Sequence, residues 1–411
     1  MSVDRQRVLI VGAGQAGART ALSLRQHGWQ GEILLVGAES EYPYERPPLS
    51  KEVLTGKAEP DRATILGEPA CAEQDIQLIR GEAVTALDLP ARLARLGGGG
   101  TLPWDRLVIA TGSRARELPL PGAHLGGVVT LRTAADALAL REQLKPGASV
   151  VLVGGGFIGL EVAASATQAG CRVTVLETAR HLLSRVVTST IAEAVETMHR
   201  SHGVDVRTGA RVEALEGVDS VCRVRLSDGS AIEADVVVVG IGALANDGLA
   251  IAAGMPCADG ILVDESARTP AEHVYAVGDV ARHELLWGAQ RMRLESWENA
   301  ELQAVTAARA ITGQPQDARK APWFWTDQFD NNLQILGYPH PTQQVVLRGS
   351  LDARSWCAFM LQDDRIAAAC LWNAGRERRP ISRLLDLGRA LPASLLADTN
   401  RPLQELLKAI A

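Results

Sequence analysis

One pattern occurs twice in this chain and constrains its fold more than anything else in it. The first copy runs Arg7-Val-Leu-Ile-Val-Gly12-Ala-Gly14-Gln-Ala16-Gly17 and continues through an Ala-rich stretch to His27. The second runs Val150-Val-Leu-Val-Gly154-Gly-Gly156-Phe157-Ile158-Gly159-Leu-Glu161 and continues to Gly170. Each opens with an apolar run that reads as a buried parallel strand. Each then carries G-x-G-x-x-G, a stretch of helical character and a second strand, at 32–36 and 172–176. An acid closes each copy: Glu39, 22 residues after Gly17, and Glu177, 18 residues after Gly159. The first glycine permits a tight turn, the second lets backbone approach a pyrophosphate, and the third lets helix pack on strand. The pyrophosphate then sits at a helix N-terminus, where N–H groups and the dipole favour an anion, and the distal carboxylate accepts from ribose hydroxyls. A single glycine motif is a weak signal. Two complete units 142 residues apart predict two dinucleotides, one per domain.

The remaining pattern is consistent with that frame. A length of 411 residues allows two to four domains. Strand-rich stretches lie at 93–112, with a turn at Gly97 to Gly100, and at 211–232, with a turn at Asp228-Gly229; buried strands lie at 235–240 and 274–279, and a helix at 298–311 ends at Gly313. After Pro315 the character changes: an aromatic β stretch at 323–335, three further strands at 345–348, 356–361 and 366–371, then helix from Pro380 onward. The predicted domains are 1–116 with 246–315, then 117–245, then a separate α+β tail at 316–411. Lys plus Arg number 42 against 48 Asp plus Glu, a net charge of −6, so no basic excess points to nucleic acid. The apolar runs are too short and glycine-broken to span a bilayer, and Met1-Ser-Val-Asp-Arg does not read as a signal peptide, so a soluble cytoplasmic protein is expected. The six cysteines at 71, 171, 222, 257, 357 and 370 contain no Cys-x-x-Cys, and His124, His181, His199, His202 and His340 have no metal-ligand spacing, so no metal is expected.

Five further strings carry a family resemblance: Tyr44-Glu-Arg46-Pro47-Pro48-Leu49-Ser50-Lys51, Leu107-Val-Ile-Ala110-Thr111-Gly112, Leu131-Arg132-Thr133, Tyr275-Ala-Val-Gly278-Asp279 and Glu295-Ser-Trp297. In this order the chain resembles the FAD-dependent NADH:ferredoxin reductases of bacterial oxygenase systems, the reductase components of aromatic-ring dioxygenases among them. The resemblance implies an α/β fold with two Rossmann-like dinucleotide-binding domains, glutathione-reductase-like, plus a C-terminal α+β domain that covers the flavin and helps form a homodimer. It implies that Gly12, Gly14, Ala16 and Gly17 hold the FAD pyrophosphate, that Arg46, Pro47 and Lys51 sit beside the flavin, and that Val84 meets the adenine side. Ala110, Thr111, Gly112 and Arg132 would close over FAD, Asp279 would accept from the ribityl chain, and Trp297 would lie near the isoalloxazine. Gly154, Gly156, Phe157, Ile158, Gly159, Arg185, Gly240 and Gly242 would surround NAD, with Glu177 on its ribose. Many members carry Asp where this chain has Ala38, which leaves Glu39 to supply the ribose carboxylate for FAD. Taken alone, Lys51 reads as a solvated lysine and Glu161 as a first-turn acid. Within the resemblance they form an ion pair between domains, with Lys51, Glu161 and Trp297 as the catalytic set. A cation near flavin N5 favours the electron-rich reduced ring.

The same double-dinucleotide fold serves disulfide reductases, which need a redox cysteine pair beside the flavin. The stretch from Glu39 to Lys51 has no cysteine. Flavin-binding signalling proteins of this fold carry targeting or basic segments, which are not seen here. The expected chemistry is hydride transfer from NADH to FAD, followed by single electrons to a [2Fe–2S] ferredoxin that feeds an aromatic-ring dioxygenase. A rubredoxin, the ferredoxin of a cytochrome P450 or a quinone is the alternative acceptor. Arg376, Arg378, Arg379 and Arg383, beside the Trp323-Phe324-Trp325 run, form a basic patch suited to an acidic ferredoxin.

Overall fold

The Arg7–Val11 strand is apolar from Val8 onward because both of its faces are covered there. Val8 and Ile10 pack with Ala18, Ala21 and Leu24, while Leu9 and Val11 pack with Val84, Ala94 and Val263 on the other side. The computed structural model describes residues 6–284, 291–318, 320–339 and 343–410. In it this strand is the centre of a five-stranded parallel sheet. The order is Val274–Ala276, Arg106–Ile109, Arg7–Val11, Glu32–Gly37, Ile76–Arg80. Ser149–Val153 is the centre of a second parallel sheet, ordered Asp205–Thr208, Arg172–Glu177, Ser149–Val153, Val236–Val239, Val128–Val129. The descending third-second-first strand order in each is that of a mononucleotide-binding half. A third sheet is antiparallel, in the order Trp323–Gln328, Asn331–Gly337, Arg365–Trp372, Trp356–Gln362, Gln344–Arg348. Its core joins Phe359, Ala369 and Leu371 to Ile381, Leu384 and Leu385 of the Arg378–Leu387 helix.

The chain divides into two compact units. One comprises Met1–Pro47, Pro60–Arg114 and Ala243–Arg319; the other comprises Pro48–Glu59, Ala115–Gly242 and Lys320–Ala411. The second Rossmann-like sheet and the antiparallel tail therefore fall in one unit, and the short segment Pro48–Glu59, which carries Lys51, falls with them. The helical end of the tail comprises three helices, Arg378–Leu387, Ala393–Ala397 and Leu403–Ile410. Gly388 ends the first in the left-handed region at φ 57°, and Pro392 and Pro402 interrupt the chain beyond it. His340 lies outside the described residues. Among the described residues no helix is long and apolar enough to cross a membrane.

The glycines explain how each strand passes into its helix. Gly12 and Gly154 lie at φ 110° and 113°, and a Cβ on them would stand 2.2 Å from the Ala110 carbonyl oxygen and 2.4 Å from that of Gly240. The third glycines are as tightly held: a Cβ on Gly17 would lie 1.8 Å from the Gly12 oxygen, and one on Gly159 2.3 Å from that of Gly154. The middle glycines differ. A Cβ on Gly14 meets only the Arg46 guanidinium at 3.8 Å, and one on Gly156 only the Gly240 oxygen at 4.0 Å. Gly17→Ala should therefore destabilise the fold by about 1–3 kcal/mol through overpacking. Gly14→Ala should cost less than about 1 kcal/mol, the scale of a poor N-cap. Thermal melts of the two variants check the ranking, and equal losses would contradict it.

Candidate functional site

In the first unit the open side of Gly14 faces the start of the Gln15–Gln26 helix, whose first N–H groups have no intrahelical partner. The one side chain that approaches a Cβ built on Gly14 is the Arg46 guanidinium, a cation suited to a phosphate. Ala110 is fixed by its N–H to the Val11 carbonyl at 2.7 Å. The next two residues are held through Asn246: Thr111 Oγ1 donates to the Asn246 carbonyl at 2.8 Å, and the Asn246 N–H donates to the Gly112 carbonyl at 2.9 Å. Gly278 takes φ 75° and donates to Gln303 Oε1 at 2.6 Å, and a Cβ there would stand 2.7 Å from that of Ala16. Asp279 Oδ2 accepts from Ser113 Oγ at 2.9 Å. Val84 begins a strand that closes the core beneath this sheet. Trp297 is the first residue of the Trp297–Ile311 helix, whose N-cap is Ser296.

Glu39 is engaged with its own neighbours. Its Oε1 accepts from Arg46 Nη2 at 2.7 Å and its Oε2 from the Tyr44 hydroxyl at 2.5 Å. Strand register also places it differently from Glu177. Gly12 N–H reaches the Val36 carbonyl and Gly154 N–H that of Leu176, so the residue matching Glu177 is Gly37. A Cβ at Gly37 would stand 2.5 Å from that of Ala13. The two closing acids are thus not equivalent in position.

In the second unit Glu177 turns back on its own loop. Oε2 accepts from the Gly155 N–H at 2.7 Å and Oε1 from the Ala179 N–H at 2.8 Å. Gly242, at φ 108°, leaves room in which only Arg185 approaches, its Nη1 lying 3.8 Å from a Cβ built there. Phe157 packs edge-on against Phe324 at 5.9 Å, and Ile158 is exposed. Arg132 also belongs to this unit, its backbone N–H donating to Asp136 Oδ2 at 3.0 Å.

Lys51 and Glu161 meet within this unit, not across the two. Lys51 Nζ is 3.2 Å from Glu161 Oε1, and the carboxylate is 4% exposed. Glu161 is the fifth residue of the Phe157–Gln168 helix, past the first turn, so the dipole does not account for it. Burial pushes its carboxyl up, against the pull of Lys51 and of hydrogen bonds from Ser50 and Thr326. Ser50 Oγ donates to Oε2 and Thr326 Oγ1 donates to Oε1 at 2.8 Å. Lys51 also stands 3.9 Å from Asp327 and 5.9 Å from the Trp325 ring. Trp323 stacks on Trp325 at 4.8 Å, and Arg378 lies 3.7 Å over Trp323, while Arg376, Arg379 and Arg383 are exposed. Ser50, Thr326, Tyr44, Asn246 and Gln303 carry no sequence signal of their own. Ser50 and Tyr44 do fall within the Tyr44–Lys51 string.

The sequence matches the family model described as pyridine nucleotide-disulphide oxidoreductase over residues 6–304. The chain belongs to this family. Residues 323–407 match a second model, reductase C-terminal. Putidaredoxin reductase CamA of Pseudomonas putida is 38% identical, over 98% of this chain and 97% of that protein. The biphenyl dioxygenase system ferredoxin–NAD(+) reductase component of Paraburkholderia xenovorans (strain LB400) is 40% identical, with 98% of each covered. The covalent putidaredoxin reductase–putidaredoxin complex matches with a TM-score of 0.94 at 38% identity, over 98% of both chains. The family uses FAD and NAD(H), and the vacant faces of Gly14 and Gly156 fit the pyrophosphates of the two.

His199 gives this unit a pH dependence. It is fully buried, and burial lowers its pKa from 6.5 to about 4, partly offset by its bond to Gln328. Between those values the unfolded chain binds a proton that the folded chain refuses. The stability is therefore complete above pH 6.5 and falls as the pH approaches 4. The loss is at most about 3 kcal/mol. His199→Phe should flatten the fall of Tm over this range; an unchanged slope would contradict the assignment.

Proposed function

We propose that this chain takes electrons from NADH through FAD and delivers them singly to a [2Fe–2S] ferredoxin of an oxygenase system. The observation that carries the reading is a pair of nucleotide loops, each with its middle glycine open, in a chain without a cysteine relay. Cys357 and Cys370 are buried in the tail, where burial pushes the first thiol up to about 12 and raises the second as well, so neither is a reactive thiolate. Bound FAD supplies the exchange between a two-electron donor and a one-electron acceptor. Gly12, Gly14, Ala16 and Gly17 receive its pyrophosphate, with Arg46, Thr111, Gly112 and Asp279 around the rest. Glu39 retains lone pairs for a ribose hydroxyl beside the bonds it already accepts. Gly154, Gly156 and Gly159 receive the NAD pyrophosphate. Lys51 holds a positive charge at the reacting end, kept in register by Glu161, and Trp297 bounds the ring. The putidaredoxin complex of a relative supports a ferredoxin as acceptor. Arg378 and its neighbours supply the charge to steer an acidic one.

Glu177 makes the cofactor choice. Its carboxylate, locked by two backbone donors, accepts from a ribose 2′-hydroxyl and repels a 2′-phosphate. Under anaerobic conditions NADH should bleach the yellow protein and added ferredoxin should restore the colour. NADH should exceed NADPH clearly in kcat/KM, and Glu177→Ala should narrow the gap. Equal kcat/KM in the wild type would contradict the assignment of Glu177, and failure of ferredoxin to restore the colour would contradict the acceptor.

A further inference from the structure

Beyond Thr326 the hydrogen bonds do not stop. Gln328, two residues along the same strand and so on the same face, donates from Nε2 to Thr326 Oγ1 at 3.0 Å. Its Oε1 lies 2.8 Å from His199 Nε2. His199 belongs to the Ser189–Ser201 helix and is fully buried, as Thr326 and Gln328 are at 1% and 3% exposure. The turn after Gln328 is held in an unusual conformation. Phe329 adopts φ 56°, rare for a bulky residue. It is stacked on His202 at 3.8 Å and meets His199 edge-on at 5.3 Å.

The direction of these bonds is determined by their ends. His199 Nδ1 is buried without a hydrogen-bond partner. With the proton on Nε2 it is a bare lone pair; with the proton on Nδ1 it would be an orphaned buried N–H, the rarer and costlier case. Nε2–H therefore donates to Gln328 Oε1, which turns the Gln328 amide NH₂ to Thr326. Thr326 Oγ1, accepting there, directs its own proton to Glu161 Oε1. Reversing the amide would turn the Thr326 proton away and leave that oxygen to Lys51 alone.

We propose that Thr326, Gln328 and His199 are positioning residues, a buried chain of donors that keeps the Glu161 carboxylate charged and aimed at Lys51. The charged groups facing this carboxylate are Lys51 and, beside it, Asp327; His199 at the far end is neutral. The consequence for hydride transfer rests on the proposed roles of Lys51 and Glu161 at the flavin, but the chain of donors itself does not. It means that a side chain three links from Glu161 sets the ionisation of that residue.

The test is a carbon-13 NMR titration of glutamate-labelled holoprotein, the Glu161 carboxyl being assigned by its loss in Glu161→Gln. Thr326→Val should raise the Glu161 midpoint by about one to two pH units, the scale of one charge-assisted hydrogen bond. Thr326→Ser should restore the wild-type value. His199→Phe, which keeps an aromatic ring against Phe329, should raise the midpoint in the same direction. Combined with Thr326→Val it should add nothing, because the link is already cut. A wild-type midpoint in His199→Phe, or full additivity in the double variant, overturns the proposal. The readout is ionisation, not turnover, so an unchanged rate of flavin reduction by NADH alongside these shifts would defeat the functional role of the pair and leave the chain of donors standing.

Discussion

A carboxylate taken out of water must be surrounded by donors, and Glu161 shows how much structure that demand organises. An unpaired buried charge costs several kcal/mol, so each neighbour is constrained to present a proton. Lys51 and Ser50 come from the short Pro48–Glu59 segment, Glu161 from the helix after the second glycine loop, and Thr326 from the first strand of the tail. Ser50 is itself pinned, its carbonyl accepting from Ser165 Oγ at 2.7 Å. Three stretches distant in sequence thus converge on one carboxylate. Packing alone does not specify such an arrangement as sharply, since apolar contacts tolerate sliding and hydrogen bonds do not.

The glycine loops impose the complementary constraint, which is steric. In both Rossmann-like sheets the first and third glycines meet backbone where a Cβ would go, and the middle glycine faces space. The same chemistry is met twice with different closing residues. Glu177 stands at the strand end and bonds back to its loop, while the matching site in the first sheet is Gly37, closed by Ala13. The acid two residues later, Glu39, is instead linked to Arg46 and Tyr44. One loop is finished by its own carboxylate, the other by a cluster that includes an arginine from the segment after it.

Local pattern makes much of this legible. Strand, glycine loop and helix are encoded within about thirty residues in each copy. The parallel sheets and the antiparallel tail follow from runs such as Val150–Val153 and Trp356–Leu361. The ion pair of Lys51 with Glu161 is readable only through resemblance, because 110 residues separate the two. Thr326, Gln328 and His199 are not readable. A threonine or glutamine on a strand has no periodicity that marks it as buried, and its partners are set by tertiary contact. Spacing also misleads at Glu39: counting from the last glycine cannot distinguish the strand end from a residue two positions beyond it. The tail reads as helical from Pro380 to the end, and Gly388, Pro392 and Pro402 mark where the backbone divides it into three helices.

On the proposed chain of donors, Glu161 is ionised in the folded protein and Lys51 compensates it. Thermal denaturation of Lys51→Met beside the double variant Lys51→Met/Glu161→Gln measures this most directly. Removing the cation alone leaves a buried charge uncompensated, a loss of about 3–5 kcal/mol. Neutralising Glu161 as well should recover much of it, so the double variant should melt above the single one. If the double variant melts at or below Lys51→Met, the carboxyl was not carrying the charge assigned to it.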